Sequence, residues 1–304
     1  MRYFDLQRFA AGDNNDLSAR SYQPQFKELL QAVVKKNAYF IDFFGGAIEA
    51  MDGVKFNAKA FSVKTSDIPV VVGTYDTGAD VAFGTGTANS SRFGNRTEII
   101  YTDTDVPYSW GWAFHEGIDR HTVNNDLDVA IADRLELQAR AKTAQFNAHH
   151  GAFISTNAGK TDISMASVSW ENVLAAFDAL DGYYTDIEAV GTKVAKVTPA
   201  VYNVIVDGAL TTTGKLAGVN ISTNGVLEFK GFQIEKVPTS LFQSGEAIYT
   251  YITGVGKAFT GITTARTIES EDFDGVALQG AGLAGEYILP DNKKAVAKVA
   301  VTGA

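Results

Sequence analysis

The stretch Asn124–His150, NNDLDVAIADRLELQARAKTAQFNAHH, decides how the rest of the chain is read. It contains no Gly or Pro and is dense in Ala, Leu, Gln, Arg and Glu, which give up little conformational freedom in a helix. Asn124, Asn125 and Asp126 offer side-chain acceptors to the orphan N–H groups of a helix start, and Asp126 and Asp128 suit its positive end. His149 and His150 stand against the negative end, and Gly151 marks the expected stop. Leu127, Ile131 and Leu135 recur at i, i+4, joined by Ala130, and Glu136 precedes Arg140 at the same spacing. Beyond Leu137 the apolar positions become small (Ala141, Ala144, Ala148), which suits a rod that meets different layers along its length. At about 1.5 Å per residue the helix spans roughly 35–40 Å, against about 11–12 residues for an ordinary globular helix. It is read as a spine.

Towards the N-terminus, residues 1 to about 25 are polar and mixed, and read as a flexible arm. Phe26, Leu29, Leu30, Val33 and Val34 then recur at helical spacing, and the aromatic run Tyr39, Phe40, Phe43, Phe44 ends at Gly45–Gly46. So many aromatics beside a polar arm need a partner surface, either the chain's own core or, on at least equal terms, another subunit. From Val54 the period changes to two, through Val54, Phe56, Ala58 and Ala60 and later Ile99, Tyr101 and Val106, with the apolar run Val70–Val72 between. Gly73–Arg96, GTYDTGADVAFGTGTANSSRFGNR, is rich in Gly, Thr, Ser and Asn. The segment reads as a long two-stranded excursion that cannot bury both faces by itself and lies on a neighbouring subunit. Val81, Phe83, Arg92, Phe93 and Arg96 join Tyr39, Phe40, Phe43 and Phe44 as candidate inter-subunit contacts.

Beyond the spine, Ser155–Thr161 is a turn-rich link, followed by a helix from Trp170 to about Tyr183 capped by Ser169, with Trp170, Val173, Leu174, Phe177 and Leu180 on one face. Strands are expected at Ala200–Val206, Val226–Phe229, Phe232–Val237, Ala247–Ile252 and Ala258–Ile262. The segments Thr267–Leu278, Glu286–Leu289 and Ala295–Val301 read as hairpin strands returning to the spine. The expected class is α+β, divided into an arm and helix (1–53), an extended loop (54–110), a spine (111–161), a mixed domain (162–254) and returning strands (255–304).

Composition narrows function. The chain has 304 residues, 45% of them hydrophobic, and no apolar run long enough for a transmembrane helix, so a soluble cytoplasmic protein is expected. With no cysteine, disulfides and thiolate-bound metal are excluded. Net charge is −9, and residues 61–304 alone carry 18 basic against 28 acidic side chains, with no basic cluster of the kind that neutralises phosphates. Packaged or bound DNA is therefore held loosely at most. NAGKT at Asn157–Thr161 ends like a phosphate-binding loop but has Ile154 where the first glycine belongs; Asp272, Asp274 and Gly275 lack the first ligand and the closing glutamate of a calcium loop. His115, Glu116 and His121, or His149 and His150, are the only candidates for a metal-dependent enzyme, too few ligands for zinc. No nucleophile, base and orienter assemble, so neither a cofactor nor a catalytic residue is assigned.

Arm, extended loop, spine helix, mixed domain and strand return, in this order, resemble the major capsid protein of tailed bacteriophages, the Hong Kong 97-type fold. The local carriers are MRYFDLQRFA at 1–10, EGIDRHTVNNDLDVAIADRLELQA entering the spine, VTPAVYNVIVDG at Val197–Gly208 and FKGFQIEKVPTSL at Phe229–Leu241. The resemblance implies a non-enzymatic protein of the virion, assembled in the host cytoplasm from hexamers and pentamers into an icosahedral head around double-stranded DNA. Scaffold, portal and head–tail connector proteins are its implied partners. An encapsulin-like cargo shell is the alternative within the fold. Some relatives cross-link a loop lysine to an asparagine of the next subunit; Gly73–Arg96 holds Arg92 and Arg96 but no lysine, so non-covalent contacts between these arginines and a neighbour's acids are expected.

Overall fold

The computed structural model describes residues 38–51, 59–66, 68, 70–79, 81, 92–94, 96–123, 127–211, 219–222 and 225–303. The expected arm and amphipathic stretch at 1–37, Val54, Phe56, Ala58, Phe83 and the capping residues Asn124–Asp126 lie outside them. The chain divides into two compact units, residues 56–108 and the remainder. In chain order the strands are β1 (Ile48–Ala50), β2 (Lys59–Thr65), β3 (Thr102–Pro107), β4 (Trp110–Asp119), β5 (Lys160–Met165), β6 (Lys193–Val197), β7 (Val219–Ser222), β8 (Gly225–Phe229), β9 (Phe232–Lys236), β10 (Glu246–Ile252), β11 (Gly256–Glu269), β12 (Gly275–Ile288) and β13 (Val296–Val301). The helices are α1 (Leu127–Asn157), α2 (Trp170–Asp186) and α3 (Pro199–Thr211).

In the larger unit α1 runs for 31 residues, about 46 Å at the usual rise. It passes through Gly151, the expected stop. That glycine is an approach point: a Cβ there would lie 2.4 Å from the Leu241 carbonyl oxygen and 3.3 Å from the Phe40 ring. The expected stripe also differs. Leu135 and Leu137 are about half exposed, while the packed face lies mainly in the second half, where Asn147, His150 and Ser155 are buried beside Phe146 and Ile154, with Gln138 buried ahead of them. Apolar periodicity could not find a face built so largely of polar side chains.

A seven-stranded mixed sheet, ordered β5-β13-β10-β6-β9-β8-β7, is covered on both faces. Successive residues of β10 alternate between the two cores: Ile248 and Ile252 meet Val173, Phe177 and Leu180 of α2 and Val201 and Ile205 of α3. Tyr249 and Tyr251 meet Ile154 of α1 and the aromatic run instead. The Ser169 hydroxyl accepts from the Asn172 N–H at 3.4 Å and caps α2, as expected. The expected strand at Ala200–Val206 is α3. Pro199 presets its first turn, and Val201, Ile205 and Gly208 fall on one buried face, with Gly208 seating the Trp170 ring where a Cβ would come within 2.1 Å. Packing overrides the strand preference of its valines.

The aromatic run also needs correction. Phe40 and Phe43 are fully buried and Phe44 nearly so, within the chain's own core against Ile154, Tyr249 and Tyr251. The Phe43 and Tyr251 rings meet edge to face at 5.0 Å. Ile41–Phe44 forms one 3-10 turn, closed by Gly45 at φ +77°. Lys196, 1% exposed at its side chain, ties the turn to the sheet: its ammonium pairs with Asp42 at 3.0 Å and with Glu235, and the Tyr251 hydroxyl donates to Asp42 at 2.8 Å. A buried ammonium is tolerated because carboxylates meet it.

The second sheet, β1-β11-β12-β4, is built on a long antiparallel hairpin in which Thr267–Leu278 and Glu286–Leu289 are not separate strands. Glycines of β12 are seats for rings: Gly280 and Gly282 pair across from Phe114 and Trp112 of β4, and a Cβ would stand 2.1 Å and 2.5 Å from those rings.

The smaller unit holds the antiparallel pair β2–β3, in a sheet of two strands. Lys59 and Asp105 pair at 3.1 Å, Lys64 and Asp103 at 3.8 Å, and the Ser62 hydroxyl donates to Asp105 at 2.6 Å. The Ser62 hydrogen bond and, after it, Lys59 hold the Asp105 carboxyl below the usual range. Ile99 and Tyr101, expected in a strand, precede β3 and make no ladder.

Candidate inter-subunit surfaces

The smaller unit exposes a row of apolar side chains. Val70, Val71 and Val72 are 78–90% exposed, and Ile99, Ile100 and Tyr101 are 57–66% exposed. Among the described residues no layer covers the two-stranded sheet, which cannot bury them, and runs of exposed apolar side chains of this kind mark an association site. Tyr75 and Phe93 meet edge to face at 5.4 Å, and Phe93 remains 81% exposed. The Asp76 N–H donates to the Arg92 carbonyl at 3.0 Å. The Arg92 guanidinium donates to the carbonyls of Asp76 and Gly78, at 3.0 and 3.2 Å. Its hydrogen bonds here go to its own segment, so the expected pairing with a neighbour's acids does not describe its state in the single chain.

Of the predicted contact residues, Phe93 and Arg96 are exposed, Arg92 and Val81 half-buried, and Phe83 outside the described residues. Tyr39 is half-buried, its backbone N–H bound to Asn147 Oδ1 at 3.1 Å. Phe40, Phe43 and Phe44 have no surface to offer a neighbour. The sequence reading assigned Val70–Val72, Ile99 and Tyr101 to strands and left Ile100 out. Three or more adjacent apolar residues with no polar alternation were the available signal.

The titratable groups singled out in the sequence are engaged separately. Glu116 receives Arg134 and Gln138, and the Arg134 hydrogen bond holds its carboxyl low. His115 meets Gln279 at 3.1 Å, and the Asp274 carboxylate receives Arg120 at 3.2 Å. Asn157–Thr161 spans the end of α1 and the start of β5. Among the described residues no three His, Cys, Asp or Glu side chains cluster as metal ligands, and no helix is long and apolar enough to cross a membrane.

The most perturbed group on α1 is His150. Burial, aided by the neighbouring His149, pushes its imidazole down to about 3. Glu286, 3.7 Å away, is pushed up by burial despite hydrogen bonds from Trp110 and Ser109. His149 stacks flat on Trp110 at 3.9 Å.

No protein-family model matches the chain, and no curated protein matches its sequence. Solved structures do match. The capsid of cyanophage P-SCSP1u superposes with a TM-score of 0.58 at 11% identity, covering 84% of this chain and 87% of that one. The mature capsid of bacteriophage PhiM1 gives 0.59 at 12% identity, over 86% and 88%, and a Mycobacterium phage Che8 structure gives 0.55 at 12%, over 82% and 86%. The fold is that of tailed-bacteriophage capsid proteins. The shared fold is mixed α+β and extends over most of the chain.

Proposed function

We propose that the chain is the major capsid protein of a tailed phage, joining copies of itself into hexamers and pentamers of an icosahedral head that encloses double-stranded DNA. The observation that carries this reading is the apolar surface of residues 56–108, Val70–Val72 with Ile99–Tyr101, on a unit that shows no second layer among its described residues. A surface of one kind meeting a surface of another kind on the next copy makes a heterologous contact, which closes into rings. In this reading residues 54–110 are the extended loop, 162–254 the axial domain facing the capsomer centre, and α1 with the terminal strands the peripheral domain. Tyr39, Val81, Phe83, Arg92, Phe93 and Arg96 join the exposed valines and isoleucines at the contact.

The net charge of −9 suits an inner surface that does not clamp DNA. The protein acts in the virion, after assembly in the host cytoplasm with scaffold, portal and connector proteins, and its role is structural. Electron microscopy of the full chain expressed alone tests this: closed shells or isolated five- and six-membered rings are expected. Monodisperse monomer at high concentration contradicts it, and shells from infected cells that carry a protein cargo in place of DNA mark the encapsulin-like alternative.

A further inference from the structure

Within the larger unit, where β4, β12 and α1 meet, two buried titratable side chains face each other without a bond. The Glu286 carboxylate and the His150 imidazole are 5% and 3% exposed, and Glu286 Oε1 lies 3.7 Å from His150 Nε2. That nitrogen has no hydrogen-bond partner among the described residues, and 3.7 Å is beyond hydrogen-bond reach. The carboxylate is met by neutral donors: the Trp110 indole N–H stands 3.1 Å from Oε1 and 3.3 Å from Oε2, and the Ser109 hydroxyl 3.4 Å from Oε2. A buried carboxylate without a cation and a buried nitrogen without a partner are both costly, and one proton placed between them relieves both.

The surroundings decide which group carries that proton. α1 presents His149, stacked on Trp110 at 3.9 Å, and two turns earlier Lys142 over the Trp112 ring. Both add positive charge when protonated; burial and His149 together lower the proton affinity of His150. β11 sets Ala258 opposite Glu286, and the flanking Lys257 is held by Glu49 of β1 at 2.7 Å. The Phe44 ring lies 4.4 Å from the imidazole, and the Phe146 ring meets it edge to face at 5.6 Å. In these apolar walls burial raises the proton affinity of Glu286, so the carboxyl is the acid and the imidazole the base.

We infer that Glu286 and His150 form a proton-operated clip: in mildly acid solution the Glu286 carboxyl takes one proton from solvent on Oε1 and donates it to His150 Nε2, binding β12 to α1. Oε2 goes on accepting from Trp110 and Ser109. The carboxyl moves by about 1 Å to reach an ordinary hydrogen-bond length. Trp110 opens β4, directly after residues 56–108, and pairs with Ala284 of β12, so the clip fastens the start of β4 to α1 through its neighbouring strand. A group of raised proton affinity stabilises the fold at low pH and loses that effect as pH rises through its midpoint. The clip belongs to the single chain and does not depend on the shell reading.

Histidine-selective 15N spectra of the free full-length chain, followed from pH 8 to pH 4, test it, with the His150 signals assigned by their loss in His150→Asn. In wild type Nε2 should keep the resonance of an unprotonated nitrogen and shift to a hydrogen-bonded position as pH falls, with a midpoint above the ordinary Glu value of 4.5. In Glu286→Gln, whose amide N–H can donate at every pH, that movement should be lost. His149→Phe, which keeps a ring on Trp110, should leave it in place. An Nε2 signal that is flat with pH, that becomes an imidazolium signal, or whose movement is lost with His149 while surviving in Glu286→Gln overturns the clip. Urea unfolding gives a second readout: Glu286→Gln should raise the midpoint at pH 7, and the gain should vanish towards pH 4. A Gln variant less stable than wild type at pH 7 overturns the inference as well.

Discussion

In β10, Tyr249 and Tyr251 are fully buried, whereas Tyr101 of the smaller unit is 66% exposed. The same contrast holds for aliphatics: Val173, Val197 and Val299 are fully buried between α2, α3 and the seven-stranded sheet, and Val70–Val72 stand in solvent. Residue type is similar in both regions. What differs is whether the described residues supply a second layer. The large sheet has one on each face, and β2–β3 has a sheet of two strands. Apolar side chains left without a layer by their own fold are matched by one from another copy, or they aggregate.

The contrast breaks most visibly in assembly. Val71→Asp with Ile100→Asp should abolish shells, read by sedimentation, while changing the free chain's unfolding free energy by no more than about 0.5 kcal/mol, as expected of exposed sites. Loss of stability comparable to a core mutation would mean the two regions are not energetically distinct. Phe177→Ala gives the opposite signature. Its ring packs on Phe229 at 5.0 Å and Phe232 at 5.6 Å, and denaturant unfolding should show a loss of about 3–5 kcal/mol. A smaller loss, about 1–3 kcal/mol, is expected from Gly280→Val, which drives a side chain into the space of the Phe114 ring; an unchanged midpoint would show that the ring has another place to go.

The mildest effect is a pH slope. His150 has its proton affinity depressed to about 3, so below its ordinary value of 6.5 the unfolded chain binds a proton that the folded chain refuses. Its contribution to stability is complete above pH 6.5 and declines as pH falls towards 3. Glu286, raised above its ordinary 4.5, contributes with the opposite sign, favouring the fold at acid pH and losing that advantage as pH rises. Urea unfolding between pH 7 and pH 5 should therefore show wild type losing more stability than His150→Asn, and parallel profiles would contradict the buried neutral imidazole.

Much of the architecture was legible because it rests on local chemistry. The Ala, Leu, Gln and Arg content of α1, the Ser169 cap and the β9 and β10 patterns each report their own backbone state. What was misread depends on distant partners. Gly151 looks like a stop until Leu241 and Phe40 are known to lie against it, and the middle of β12 shows as strand only once Phe114 and Trp112 are placed across from Gly280 and Gly282. Val201 to Val206 favour a strand locally and form a helix because their buried face meets α2. Whether Phe40, Phe43 and Phe44 belong to the core or to another subunit could not be decided locally, because Tyr249 and Tyr251, two hundred residues on, are invisible to a local reading. The exposed runs at 70–72 and 99–101 were placed in the excursion but not among its contact residues, because a periodicity of two does not tell which of its apolar side chains stay uncovered.

Hydroxyl-radical footprinting of Val70–Val72 and Ile99–Tyr101, comparing assembled particles with dissociated chains, measures directly whether a second copy supplies the missing layer. Strong protection of these six side chains on assembly, with the oxidation of Val190, 90% exposed in the larger unit, as an internal reference, is the result this account predicts. Equal oxidation of the six residues in particles and free chains would contradict it.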